Sequence, residues 1–83
     1  MPKDRFVAFL QEMELDPLGY GRMDLEAVLL RVEFGRHRYE GFDLYLHDGY
    51  PPVHLRTSQS DVPDFVVRRV ARDALSILKG GVI

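Results

Sequence analysis

The hydrophobic positions of this chain change period along its length. From Pro2 to about Glu14, the residues Phe6, Phe9, Leu10 and Met13 recur at intervals of three and four, the spacing that gathers side chains on one face of an α-helix. Pro2 and Asp4 suit a first turn, where a missing N–H costs nothing and a carboxylate meets the positive end of the helix. The run Asp16-Pro17-Leu18-Gly19-Tyr20-Gly21 then denies the helix continuation and supplies turn geometry, so a loop follows.

Between Leu25 and Phe34 two periods compete. Leu25, Val28, Leu29 and Val32 fit a helix, whereas Val28, Leu30, Val32 and Phe34 alternate with Leu29, Arg31 and Glu33 as in a strand. The β-branched and aromatic content favours a strand from Val28 onward, with Asp24–Ala27 adding a helical turn before it. Phe42–His47 alternates more cleanly, with Phe42, Leu44 and Leu46 on one face, and Tyr39-Glu40-Gly41 is the turn that makes a hairpin. A second turn, Asp48–Pro52, leads to a short strand over Val53–Thr57, placed at an edge by its paired prolines.

Ser58-Gln59-Ser60-Asp61 introduces the last helix, with Asp61 as N-cap, Pro63 in the first turn and Asp64 at its third position. Val66, Val67, Val70, Ala71, Ala74, Ile77 and Leu78 line one side; Arg68, Arg69, Arg72, Asp73, Ser76 and Lys79 line the other. Gly80-Gly81 marks its stop. The expected fold is one α+β domain over residues 1–83, in the order α-β-β-β-α. A three-stranded antiparallel sheet carries an N-terminal and a C-terminal helix packed on one of its faces.

Composition narrows what such a domain does. With 83 residues there is room for a single core, and 46% apolar content with five Phe and four Tyr is enough to build one. The absence of cysteine removes disulfides, thiolate metal sites and cysteine nucleophiles. No apolar run approaches the roughly 20 residues of a membrane span. Asp4 and Arg5 stand where a signal peptide needs apolar residues, so the expectation is a cytoplasmic protein with no membrane partner. A net charge of −2 argues against gripping nucleic acid through the overall field. The acidic excess is concentrated in residues 1–26; the rest of the chain is close to neutral, and nine of the eleven basic residues are Arg.

Candidate chemistry is concentrated in the middle of the chain, where all three histidines lie between residues 37 and 54. His37 and His54 can project from neighbouring strands, one as a general base on a ribose hydroxyl and the other as a general acid to the leaving group, or as ordinary solvent-facing strand residues. Arg36, Arg38, Arg56, Arg68, Arg69 and Arg72 can hold phosphates. Against that, Asp64 with Arg68 and Arg69 with Asp73 are i,i+4 pairs that would occupy two of the helix arginines. The histidine spacings match no common zinc motif, and Asp16–Ala27 lacks the oxygen donors of a calcium loop, so no metal or other cofactor is expected. Tyr39, Tyr45 and Tyr50 gather around the sheet and its turns, where exposed aromatics make either a protein-interaction surface or a base-stacking platform.

Gly35-Arg36-His37, His47-Asp48-Gly49, Pro52-Val53-His54 and the helix from Val66 to Leu75 resemble, in that order, elements of the HicA-type toxin family, small mRNA interferases with a double-stranded-RNA-binding-domain-like fold. The resemblance covers residues 35–75 and implies that His37 is the catalytic histidine and that the arginine-bearing surface faces RNA. The chain departs from the family pattern where Arg36 replaces a serine, where the His47 turn lacks its proline, in a longer segment between His37 and His47, and where proline precedes valine in the third motif. Two classes of function stand side by side. One is a toxin-like RNA-binding or RNA-cleaving protein, favoured by the histidine placement. The other is a non-enzymatic protein-binding module, such as a phage-type inhibitor or adaptor, working through the acidic N-terminal region and the tyrosine-bearing sheet and favoured by the near-neutral charge. The edge strand Val53–Thr57 also offers a pairing surface for a second copy in a homodimer.

Overall fold

The apolar face of the first segment closes onto the core as its period requires. In the computed structural model, which describes residues 2–58 and 61–80, Lys3–Leu15 form helix α1 with Pro2 at its N-cap and Phe6, Leu10 and Met13 buried. Gln59 and Ser60 of the expected lead-in, and Gly81 of the expected stop, lie outside the described residues.

The competing periods of residues 25–34 are settled in favour of the helix. Arg22–Arg31 form α2, which corrects the expected strand from Val28. The physical reason is burial: Leu25, Val28, Leu29 and Val32 are enclosed while Leu30 is 41% exposed, a division that a helix makes and a strand does not. Asp24, in the first turn, accepts the Gly21 N–H at 2.9 Å and so satisfies a donor at the helix start. The helix ends in a Schellman motif. Phe34 N–H reaches back to Leu29 O at 2.9 Å, Glu33 N–H reaches Leu30 O at 3.1 Å, and Glu33 takes φ of 70°.

Three strands follow, β1 (Gly35–Tyr39), β2 (Phe42–Leu46) and β3 (Val53–Arg56), in spatial order β1-β2-β3 and all antiparallel. Tyr39 pairs with Phe42 across the two-residue turn Glu40-Gly41, with Gly41 at φ of 85°, so the expected hairpin is present. Asp64–Gly80 form α3, which buries Val67, Val70, Ala71 and Ala74 and packs along α1. The start of α3 differs from expectation. Pro63 O accepts the N–H groups of Val66 and Val67 at 3.0 and 3.1 Å, which puts Pro63 before the first turn, while Asp61 forms an isolated bridge with Gly21. One helix more than expected thus joins the order, which reads α-α-β-β-β-α, and a single core lies between the helices and the inner face of the sheet. Among the described residues no helix is long and apolar enough to cross a membrane.

Glu33 occupies a left-handed position that glycine adopts without penalty and that costs other residues about 1 kcal/mol or more. Glu33→Gly therefore raises stability by about 0.5–1 kcal/mol after the added freedom of the unfolded chain is subtracted. The check is a higher urea midpoint at unchanged slope.

Candidate functional site

Strand β2 sets the character of the sheet by turning its more polar alternate inward. Asp43 and Tyr45 are buried, together with Val53 and Leu55 of β3, while Phe42, Leu44 and Leu46 face away from the helices. A two-residue period allows no compromise between the faces. The outer face therefore carries a continuous set of side chains. By register, Leu44 lies between His37 and His54, and Phe42 lies between Tyr39 and Arg56. The Tyr39 and Phe42 rings stack at 5.0 Å, and the Phe42 and His54 rings at 4.4 Å. Tyr39 is 54% exposed and Leu46 40% exposed. Leu15, Leu18, Met23 and Phe65 are exposed too, but each sits at a helix end or in a loop, whereas the sheet residues share one hydrogen-bonded frame.

The two predicted catalytic histidines are both on this face, and their rings point apart. His37 Nε2 lies 3.7 Å from where a side chain on Gly35 would begin, so its ring leans toward the Leu46 end of the face. His54 leans the opposite way, onto Phe42. Their backbones are two strand spacings apart, about 10 Å, and general acid–base catalysis needs both groups within hydrogen-bond reach of one substrate. His47 has a different place. Its Nδ1 is 3.0 Å from Asp48 O, and its ring packs against Phe34 and Tyr50 at 5.1 and 5.3 Å.

The six predicted phosphate-holding arginines are not gathered on one surface. Arg68 Nε donates to Glu14 O at 3.1 Å and Arg72 Nε to Glu14 Oε2 at 2.9 Å, so both clasp the end of α1. Arg69 Nη2 donates to Pro52 O at 2.9 Å in the turn before β3. For Arg68 the bond to Glu14 takes the place of the expected intrahelical one with Asp64, whereas Arg69 still exerts an electrostatic pull on Asp73. Arg56 stands on the outer face beside Phe42. Arg36 and Arg38 belong to the inner alternate of β1 and reach toward α2 and Asp43. The tyrosines are similarly dispersed: Tyr39 is on the outer face, Tyr45 is in the core, and the Tyr50 hydroxyl is 2.9 Å from Ser76 Oγ of α3.

The inner alternate also holds a charge cluster that periodicity did not single out. Glu26 of α2 accepts the Tyr45 hydroxyl at 2.8 Å, Arg36 Nη1 at 2.8 Å and Arg22 Nη1 at 3.1 Å. Buried Asp43 stands 3.9 Å from Arg22 and 4.0 Å from Arg38. The Tyr45 hydrogen bond, followed by the charges of Arg36, Arg22 and Arg38, holds the Glu26 carboxyl below its ordinary value although burial opposes this. Burial first, and then Glu26, push the Tyr45 phenol up to about 12. On α3, burial raises the Asp73 carboxyl against the pull of Arg69 and Arg72. The sequence signal for the cluster was the i,i+4 pair Arg22 and Glu26, which becomes visible only once this segment is read as helix.

Concave features lie beside the sheet and between the first two helices. A shallow cavity of about 550 Å³ is lined by Glu33, Leu46, His47, Asp48 and Gly49. A smaller one of about 260 Å³ runs between α1 and α2, where the Arg31 guanidinium covers the Phe6 ring at 4.3 Å. Among the described residues no group of three His, Asp or Glu side chains gathers as a metal ion would require. The chain matches no protein-family model, no curated protein and no solved structure.

A carboxylate held below its ordinary value stabilises the fold above its unfolded pKa, near 4.5 for Glu26, and that contribution is lost as pH falls through its folded value. Tyr45→Phe removes the largest cause. The variant is expected to lose about 1.5 kcal/mol at pH 7, and the loss shrinks as pH falls through the folded value of Glu26. Urea titrations at pH 7 and at successively lower pH measure the difference.

Proposed function

We propose that this chain is a non-enzymatic protein-binding module whose contact surface is the outer face of its sheet. The observation that carries this reading is the outward set Phe42, Leu44 and Leu46 beside Tyr39, an apolar surface on a rigid frame rather than on a loop. Exposed apolar residues that share one face are what a partner covers. The acidic N-terminal region contributes less to such a surface than composition suggested. Glu14 is engaged by Arg72 and Glu26 by Arg22 and Arg36, so these acids hold the fold together.

The toxin-like alternative, with His37 as general base and RNA as substrate, draws support from the exposure of His37 and from the sequence motifs. Three features weigh against it. The His37 and His54 rings diverge, Arg68, Arg69 and Arg72 are engaged by α1 and by the turn before β3, and the net charge is −2. The aromatic stack argues the same way. Phe42 has Tyr39 over one side and His54 over the other, so its faces are already covered where a nucleobase would need one open.

Induced expression in a bacterial host separates the two. The binding-module reading expects no growth arrest and no RNA cleavage from either the wild type or His37→Ala. It also expects a partner to be captured by the wild type and lost with Leu44→Asp and Leu46→Asp, while both variants keep cooperative melting. RNA degradation that depends on His37 would overturn it.

A further inference from the structure

The two edges of the sheet are β1 and β3, and β1 is exposed at all five of its residues. The hydrogen-bond pattern fixes which of its backbone groups are free. Gly41 O accepts the Thr57 N–H at 3.1 Å, so the odd-numbered residues of the Gly41–Leu46 stretch bond toward β3 and the even-numbered ones toward β1. Phe42, Leu44 and Leu46 therefore bond to Tyr39, His37 and Gly35. Arg36 and Arg38 are left with N–H and C=O groups directed away from the sheet, and among the described residues no backbone hydrogen bond takes them up. Such a row of unpaired groups is a template for another strand.

We propose that this edge is a strand-addition site for an extended acidic segment of a partner protein, one that alternates acidic with apolar residues. The proposal rests on the protein-binding reading and names the partner's chemistry. Across an antiparallel pair, side chains directly opposite one another share a face. Residues set against Arg36 and Arg38 join the helix-facing alternate, where both guanidiniums are only partly covered: Arg36 is 32% and Arg38 67% exposed, and Arg38 Nε lies 4.0 Å from Asp43. Carboxylates fit there. Residues set against His37 and Tyr39 extend the outer face beside the Tyr39 ring, where apolar side chains fit.

The same chemistry disfavours other occupants. Pairing β1 with its own copy would set arginine against arginine, and directly opposed like charges are destabilising. An added strand gains main-chain hydrogen bonds that do not depend on a large face.

The test uses the full chain and labelled peptides, which avoids variants that disturb the Arg36–Glu26 pair. The probe is a fluorescent peptide of alternating Val and Glu. It is compared with its Lys-for-Glu counterpart and with a peptide of unchanged charge whose edge-facing amides are N-methylated. The Val–Glu peptide is expected to bind about tenfold tighter than either control, and to slow hydrogen exchange at the Arg36 and Arg38 amides by a similar factor. No binding at about 1 mM, or equal binding by either control, overturns the proposal. Displacement of the peptide by a single-stranded RNA oligonucleotide overturns it in favour of phosphate recognition. The outer-face reading fails separately, if Leu44→Asp and Leu46→Asp still capture the partner.

Discussion

The hydrogen bond from the Tyr45 hydroxyl to Glu26 ties the middle strand to the helix beneath it, and the orientation of the sheet depends on it. A phenol can be buried only if its hydroxyl finds a partner, and Glu26 provides one at 2.8 Å on a helix that the same cluster braces through Arg22 and Arg36. Once Tyr45 faces inward, so must Asp43, and Phe42, Leu44 and Leu46 have no choice but the outer face. The exposed apolar surface follows from satisfying one buried polar group. That is why the side of the sheet with fewer charges is the side without helices.

The uneven charge along the chain has a similar internal explanation. Acids concentrated before residue 27 meet arginines that come later: Glu14 meets Arg72, and Glu26 meets Arg36. Glu14 also lends its carbonyl to Arg68, so two turns of α3 hold the last turn of α1. Exposed pairs of this kind contribute little stability individually. Their value here is positional, because arginine's planar donors fix the direction from which the partner approaches. The arginine-rich composition that suggested phosphate recognition is largely engaged in holding helices and turns in place.

The fold was legible where one period dominated. Phe6, Leu10 and Met13 announced α1, and Val67, Val70, Ala71 and Ala74 announced α3, because no strand-like alternation competed with them. Residues 25–34 misled because valine and phenylalanine favour strands by propensity while their spacing was helical, and burial on one side of a helix outweighed propensity. Asp24 three residues after Gly21 was the available cue, a helix-start signal that outranks β-branched content. In β2 the alternation was plain but its polarity was not. Phe-Leu-Leu is the more apolar alternate, and it is turned outward by the contacts of Asp43 and Tyr45 with residues far off in sequence together with the buried Val53 and Leu55 set beside them by register. The candidate histidines were found on a common face, yet one ring leans toward Gly35 and the other onto Phe42. Sequence spacing carries no trace of that.

Edge strands of natural sheets are commonly guarded by charge, and Arg36 and Arg38 guard β1 in that sense. Guarding and recognition are one electrostatic arrangement read against two partners. Two copies of this edge bring cations together, whereas an edge or segment bearing carboxylates meets them with the sign reversed, and specificity is the difference between those two outcomes. Glu26 and Asp43 sharpen the discrimination. They neutralise enough of the cluster for three guanidiniums to coexist, while Arg38, which Asp43 approaches at 4.0 Å, keeps most of its surface in solvent. Self-pairing of this edge and pairing with an acidic strand thus differ in the sign of one charge interaction.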